Sequence, residues 1–216
     1  MTPDKIKLPN VEQFYYKFKL PSNLKNHIQK VTEVAVFLAS KINEYKKKNK
    51  DFELYNVELV RVAAALHDIG KPLHFKYFDN VTKKEHINFE ENFSERELLE
   101  HWFDLMPEFK EAEHELTGAN MLKEFPEVAE IVANHTPRQI LKENLNKETI
   151  LVNYADKRVE GDKIVTLDKR FNCLMRRYPE HISNFKRTLI KYEEVEGKIF
   201  NEIDFQAERL EQEMNK

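Results

Sequence analysis

The sequence predicts an all-α fold: one helical bundle with an inserted segment over about 74–112 and a long C-terminal helix over about 179–214. Three observations predict it. Almost every patterned stretch repeats its apolar residues at steps of three and four, as a helix with one buried face requires. Proline and glycine fall where such helices would start and stop. The chain has 216 residues, 41% hydrophobic and 34% charged, which suits a single soluble domain with one sizeable core.

The first stripe runs over residues 22–46, where Leu24, His27, Ile28, Val31, Ala35, Leu38 and Ile42 share a face; Pro21-Ser22 opens it and KKKNK closes it. A second helix runs from about Asn56 through VELVRVAAALHD, and Gly70 then Pro72 stop it, the glycine acting as a C-terminal cap. Residues 73–89, LHFKYFDNVTKKEHINF, break the period, and the aromatic alternation around Asp79-Asn80 reads as a short hairpin. Residues 90–112 are acidic and aromatic and read as one or two inserted helices. Helical period returns in HELTGANMLKEF (114–125), and Pro126 fits the first position of PEVAEIVANH, which ends at Thr136-Pro137. KETILVNYADKRVE follows, closed by Gly161, and a further helix lies near 167–177. From Pro179 to about Met214, Ile182, Phe185, Leu189, Tyr192, Ile199, Ile203 and Leu210 approximate a heptad seam. Glu196, Gln206 and Glu213 interrupt that seam and Gly197 weakens the helix. Packing onto its own domain is the simpler use of the seam; a homodimer is the alternative.

Composition removes several function classes. No apolar stretch approaches the roughly 18–20 residues that span a bilayer. MTPDKIKLPN lacks the apolar region of a signal peptide, so a cytoplasmic protein with no membrane partner is expected. A net charge of -3 and a pI near 6.3 argue against general nucleic-acid binding. Cys173 is the only cysteine, which excludes an intramolecular disulfide and a cysteine-based zinc site; a small buried apolar residue is its expected role. GxxxxGK[ST] and GxGxxG are absent, so any phosphate chemistry falls to a metal.

The polar residues on the apolar faces carry the chemistry. His27 lies on the buried face of the first helix, and His67 and Asp68 end the second. His114 opens a helix, His135 ends the next, and Asp156 shares a face with Val152 and Val159. Each alone has a plain explanation: a hydrogen-bonded core histidine, a helix cap at Asp68, an arginine partner for Asp156. Together they strain it, because burying two carboxylates and four imidazoles is costly unless each is paired or coordinated. A metal cage satisfies all of them. Imidazole with carboxylate and no thiolate suits Fe, Mn, Co, Ni or Zn. Two ions need a bridging group, and the carboxylate beside an imidazole at His67-Asp68 supplies one. EAEH at 111–114 suggests a ferritin-like carboxylate site, but that motif should occur twice and does not.

HDIGKP (67–72) is similar to the signature of the HDIG branch of the HD-domain superfamily of metal-dependent phosphohydrolases. HELTGANML resembles the histidine-then-Gly-Ala helix that follows it there, and NYADKRV resembles the helix bearing the last aspartate. The resemblance covers roughly residues 20–175. It implies that His27, His67, Asp68 and Asp156 bind one divalent transition metal and that His114 and His135 bind a second, with Asp68 bridging. Some forty residues separate Asp68 from His114, more than compact branches have, which leaves His86 and His101 as alternatives to His114. Otherwise those two read as surface histidines and His181 as structural.

Lys71, three residues past Asp68, is placed to meet a phosphate oxygen or to pair with a ligand carboxylate. Arg138 follows His135 in a loop with Thr136 and suits a two-pronged phosphate clamp. His74, close to the ligands in sequence, is a further candidate substrate contact. Helical geometry turns Lys157 and Arg158 about 100° and 200° from Asp156, so Arg158 faces elsewhere and pairs structurally, whereas Asn153 shares the aspartate's face as an outer partner. The implied activity is hydrolysis of a phosphate ester or anhydride in a small, nucleotide-like substrate by metal-activated water, with Asp68 and Lys71 in the catalytic apparatus. A dinuclear-iron oxygenase of HD type shares the ligand set and is the alternative. So is a non-catalytic regulatory HD domain that binds nucleotide or metal, against which the filling of all six ligand positions weighs. The segment 74–112 reads either as a lid or as a peripheral packing element.

Overall fold

Asn10 opens the first helix: its side chain accepts from the Gln13 N–H, and α1 (Val11–Phe18), which the periodicity did not single out, follows. The computed structural model describes residues 6–74 and 95–216. The hairpin expected over 73–89 lies, but for its first two residues, outside the described residues, as do His86 and residues 75–94 of the inserted segment. Leu73 and His74 belong to a tight helical turn, Lys71–His74.

The bundle is built on α2 (Ser22–Lys48). Its whole predicted stripe is buried, from Leu24 and His27 to Ile42. Against it pack α3 (Val57–Leu66) and α7 (Lys147–Lys157), which also touch each other. Both begin on asparagine caps, Asn56 accepting from the Leu59 N–H and Asn146 from the Thr149 N–H. The alanine run Ala63-Ala64-Ala65 is wholly inside, so α3 is apolar nearly all round, as a central helix must be. α6 (Pro126–Ala133), with proline at its first turn, leans on α3 and α7, and α5 (His114–Met121) packs on α6.

Gly70 plays a different part from the cap read in the sequence. Its φ is not positive. A Cβ on it would lie 2.2 Å from the His114 carbonyl oxygen and 2.6 Å from the Gly118 nitrogen. Glycine is there so that the backbone of α5 can approach the turn after α3, and Gly118 faces it from the other side. The inserted stretch contributes α4 (Glu95–Phe109), whose Trp102 is buried and donates its indole N–H to the Phe18 carbonyl.

Three boundaries differ from the sequence reading, the first being α5, which stops at Met121 instead of running to residue 125. The helix expected to close at Gly161 ends at Lys157, and a two-stranded hairpin follows: β1 (Val159–Glu160) and β2 (Lys163–Ile164), turned by Gly161 at φ 61° and Asp162. Helical period cannot reveal so short a ladder. The long helix expected over 179–214 is also broken. After α8 (Leu167–Arg177), α9 runs over Ile182–Asn201; the chain then bends to bury Ile203 and Phe205 before α10 (Leu210–Met214). Arg158 stabilises the bend by donating to the Ala207 carbonyl.

Candidate metal centre

Six side chains from five helical elements converge at the end of α3. His27 comes from α2, His67 and Asp68 from the end of α3, His114 from the first turn of α5, His135 from just beyond α6, and Asp156 from the last turn of α7. His67, Asp68, His135 and Asp156 are buried, and His27 nearly so; His114 alone keeps a quarter of its side chain exposed, 24%. The open side of the cluster is therefore the His114 side.

Backbone carbonyls set the tautomers. The Nδ1–H of His27 donates to Gly161 O at 2.8 Å, that of His67 to Ala64 O at 2.7 Å, and that of His135 to Val132 O at 2.7 Å. Each imidazole then turns its Nε2 to the interior. His27 Nε2 lies 3.1 Å from Asp156 Oδ1 and 3.8 Å from Asp68 Oδ2. His67 Nε2 lies 3.3 Å from Asp68 Oδ2 and 3.8 Å from Asp156 Oδ1, and it has no hydrogen-bond partner although fully buried. On the other side, His135 Nε2 is 3.1 Å and His114 Nε2 3.6 Å from Asp68 Oδ1, and the two nitrogens are 3.3 Å apart. Asp68 thus turns Oδ2 toward one pair of imidazoles and Oδ1 toward the other.

An imidazole nitrogen and a carboxylate oxygen this close need a proton or a cation between them. The cluster draws such charge. Burial pushes the pKa of His67 down, but the charges of Asp68 and Asp156 outweigh it and the net direction is up. Asp68 and Asp156 are held well below the usual carboxylate range against the opposing effect of burial, Asp68 by His67 and Lys71 and Asp156 by Lys157 and His27. His114 goes the other way: burial, then His135 and Lys71, push its pKa well down. The trios His27–His67–Asp156 and His67–Asp68–His135 each bring three ligand atoms within 4.8 Å of one another. A nitrogen and oxygen donor set without sulfur, with an orphaned Nε2 at its centre, fits a divalent transition metal.

The surroundings hold these side chains in place. Asn153 donates to the carbonyls on both sides of His135, Asn134 O at 2.7 Å and Thr136 O at 3.1 Å, and accepts from the Tyr192 hydroxyl. Glu115, buried beside His114, sets Oε2 3.3 Å from His114 Nδ1 and accepts from Thr136 Oγ1 and, at 3.4 Å, from Arg138. Nothing in the sequence marks Glu115, because an acid in the first turn reads as an ordinary helix start. Lys157 corrects the helical-wheel reading. α7 ends there, and the buried ammonium folds back to donate to Asp156 Oδ2.

Lys71, its side chain 32% exposed, donates to Asp68 Oδ2 at 2.5 Å. Its pKa is raised: burial works against the charge, and Asp68 and Asp156 overcome it. His74 pairs with Thr117 Oγ1 at 2.8 Å, its ring beside His114 with centroids 6.4 Å apart. Arg138 is 60% exposed and lies 3.4 Å from Glu115 and 3.5 Å from Glu113, outside the cage. Arg158 is buried in a separate network with Tyr154, Glu196 and Val165 O. His101 lies elsewhere, paired with Lys17 O, and His181 sits at the start of α9 against Phe185. Cys173 is half-buried and donates to Glu160 rather than packing as an apolar residue, because Arg170 and Arg177 gather that carboxylate beside it.

No described helix is long and apolar enough to cross a membrane. Among protein families, the model described as HD domain matches residues 24–159, which takes in five of the six converging side chains in its interior and reaches Asp156 near its end. No curated protein and no solved structure matches the chain.

Proposed function

This chain belongs to the HD-domain family, and from that premise we propose that it is a metal-dependent phosphohydrolase acting on a small phosphorylated, nucleotide-like substrate. One observation carries the reading: the two oxygens of Asp68 are divided between two pairs of imidazole Nε2 atoms, His27 with His67 and His114 with His135. That division suits two cations sharing one carboxylate. His27, His67, Asp68 and Asp156 would hold one ion, and His114, His135 and the second oxygen of Asp68 the other, drawn from Fe, Mn, Co, Ni or Zn. When bound, such ions supply Lewis acidity toward phosphoryl oxygens and lower the pKa of water.

The chain's own residues do the rest. The part-exposed Lys71 ammonium beside Asp68 would meet a phosphoryl oxygen of the substrate. His74 and His114 line the open side and orient the substrate there. Arg138 reaches a phosphate only by leaving Glu113 and Glu115, so it acts at the rim while Lys71 acts at the centre. Buried walls from α3 and α7 keep bulk water from the ligand face of the site.

The test is a metal analysis of the purified protein followed by a screen against nucleotides, dinucleotides and cyclic phosphates. The expected result is phosphate release that a chelator abolishes and a divalent transition metal restores, and that falls to background in Asp68→Ala. Oxygen uptake dependent on reduced iron, without phosphate release, would assign the dinuclear-iron oxygenase instead. Tight nucleotide binding without product in the presence of manganese would assign a regulatory domain.

A further inference from the structure

A second concave site lies well away from the metal centre. It opens between the far end of α2, the 137–147 connection and α9, with a volume of about 740 Å³. Ile42, on its floor, follows His27 by fifteen positions on the same helix, about 22 Å along the axis. The groove is therefore not the mouth of the cage.

Its lining has two parts. Ile42, Ile140, Val195 and Ile199 form a buried aliphatic floor. Lys142, Lys147, Lys191 and Lys198 stand around it with Glu143 and Glu202, so the lining is positive by two (four lysines less two glutamates) in a chain of net charge -3. Lys46 already neutralises Glu202 in part, at 3.5 Å. A positive rim over an aliphatic floor complements an anion with a long apolar body. The volume falls in the range of small-molecule sites. No arginine lines it, and its one aromatic ring, Tyr55, is covered by the Lys147 ammonium at 5.5 Å, so it offers a stacked base nothing. Branched aliphatic walls suit a flexible hydrocarbon chain.

We propose that this groove binds a fatty carboxylate, with the hydrocarbon chain on Ile42, Ile140, Val195 and Ile199 and the carboxylate among Lys142, Lys191 and Lys198. The site is physically joined to the metal centre. Lys142 donates to Asn134 Oδ1 at 2.7 Å, and Asn134 precedes His135. A carboxylate that takes the Lys142 ammonium competes with the bond that holds this segment.

The experiment is calorimetric titration of the full chain with sodium decanoate below its micelle concentration. Saturable binding at one site is expected, tightening about fourfold per added methylene from octanoate to decanoate. Decan-1-ol, lacking the charge, should bind at least tenfold more weakly, and so should decanoate to the double variant Lys191→Glu, Lys198→Glu. Lys191 is part-buried and pairs with Glu194 at 2.8 Å, so a thermal melt checks that the double variant folds, and Lys198→Glu alone, at an exposed position, should weaken decanoate binding in the same sense. Lys123→Glu, outside the groove, should bind as wild type. Absence of saturable heat, equal affinity for decanoate and decanol, or undiminished binding in the double variant would each overturn the proposal. None of these readouts involves metal or phosphate release, so failure here leaves the phosphohydrolase reading untouched, and the reverse holds.

Discussion

The His27 Nδ1–H donates to the carbonyl of Gly161, 2.8 Å away in space and 134 positions later in the chain. The bond fixes the tautomer that exposes His27 Nε2 to Asp156, and the carbonyl is aimed by a turn in which Gly161 sits at φ 61°. A β-branched residue resists that conformation. Gly161→Val should lower stability by about 1–2 kcal/mol. Losing the outer hydrogen bond should weaken manganese binding about ten- to hundredfold. Thermal melts and manganese titration read the two effects separately; unchanged metal affinity would remove the hairpin from the site.

Gly70 and Gly197 should respond oppositely to alanine. At Gly70 the new Cβ would collide with the backbone of α5 at His114 and Gly118, which cannot give way as a side chain can. A loss of about 3 kcal/mol, at the upper end for overpacking, is expected, together with displacement of His114. Gly197 is an exposed interior position of α9 with nothing within 4 Å of a Cβ. Gly197→Ala should stabilise by about 0.5–1 kcal/mol. Urea unfolding midpoints measure both.

Asn153 supports His135 through bonds that no substitution reproduces. Asn153→Ala leaves the part-buried Asn134 carbonyl without its side-chain donor, at about 1–3 kcal/mol, while the Thr136 carbonyl keeps the Gln139 N–H. Tyr192→Phe removes only the donor to Asn153 Oδ1 and should cost less, about 1–2 kcal/mol. Metal affinity should fall more in Asn153→Ala than in Tyr192→Phe. Equal effects would mean that Tyr192, rather than the two carbonyl bonds, positions the segment.

Acid should unfold the metal-free protein through the buried carboxylates Asp68 and Asp156. Asp68 and Asp156 are held well below their ordinary pKa, so between the folded and unfolded values the unfolded chain binds more protons. Their stabilisation is fully present above the unfolded value of about 4 and is lost as pH falls through the lower folded values. His114, also depressed, acts in the same sense with its full contribution above about pH 6.5. His67, raised, opposes it near neutrality, its contribution being full below about 6.5 and lost as pH rises through the folded value. Urea unfolding of the metal-free protein from pH 7 to pH 2.5 should show stability falling steeply below about pH 4, and Asp156→Asn should flatten that fall. An equally steep fall in the variant would place the acid sensitivity elsewhere.

The side chains that converge at the candidate site were largely legible because they announce themselves locally. His27 stands in an apolar stripe, His67 and Asp68 end a run of alanines, and Asp156 shares a face with Val152, and all lie inside the fold. Glu115 and Lys157 were not legible, because what each touches depends on a neighbour's exact placement and not on its own periodic position. The break in the C-terminal helix was hidden for a related reason: Ile203 and Leu210 fit a heptad whether or not the chain bends between them, and both are buried.

The sequence by itself determined the helices, their inward faces and the residue types brought to the centre, since period and side-chain chemistry are properties of neighbouring residues. Only the tertiary structure decided that the oxygens of Asp68 divide between two imidazole pairs, that Gly70 admits the backbone of α5, and that a hairpin carbonyl orients His27. Those relations are distances of a few ångströms between segments far apart in the chain. Packing of whole helices sets such distances, and no local pattern contains them.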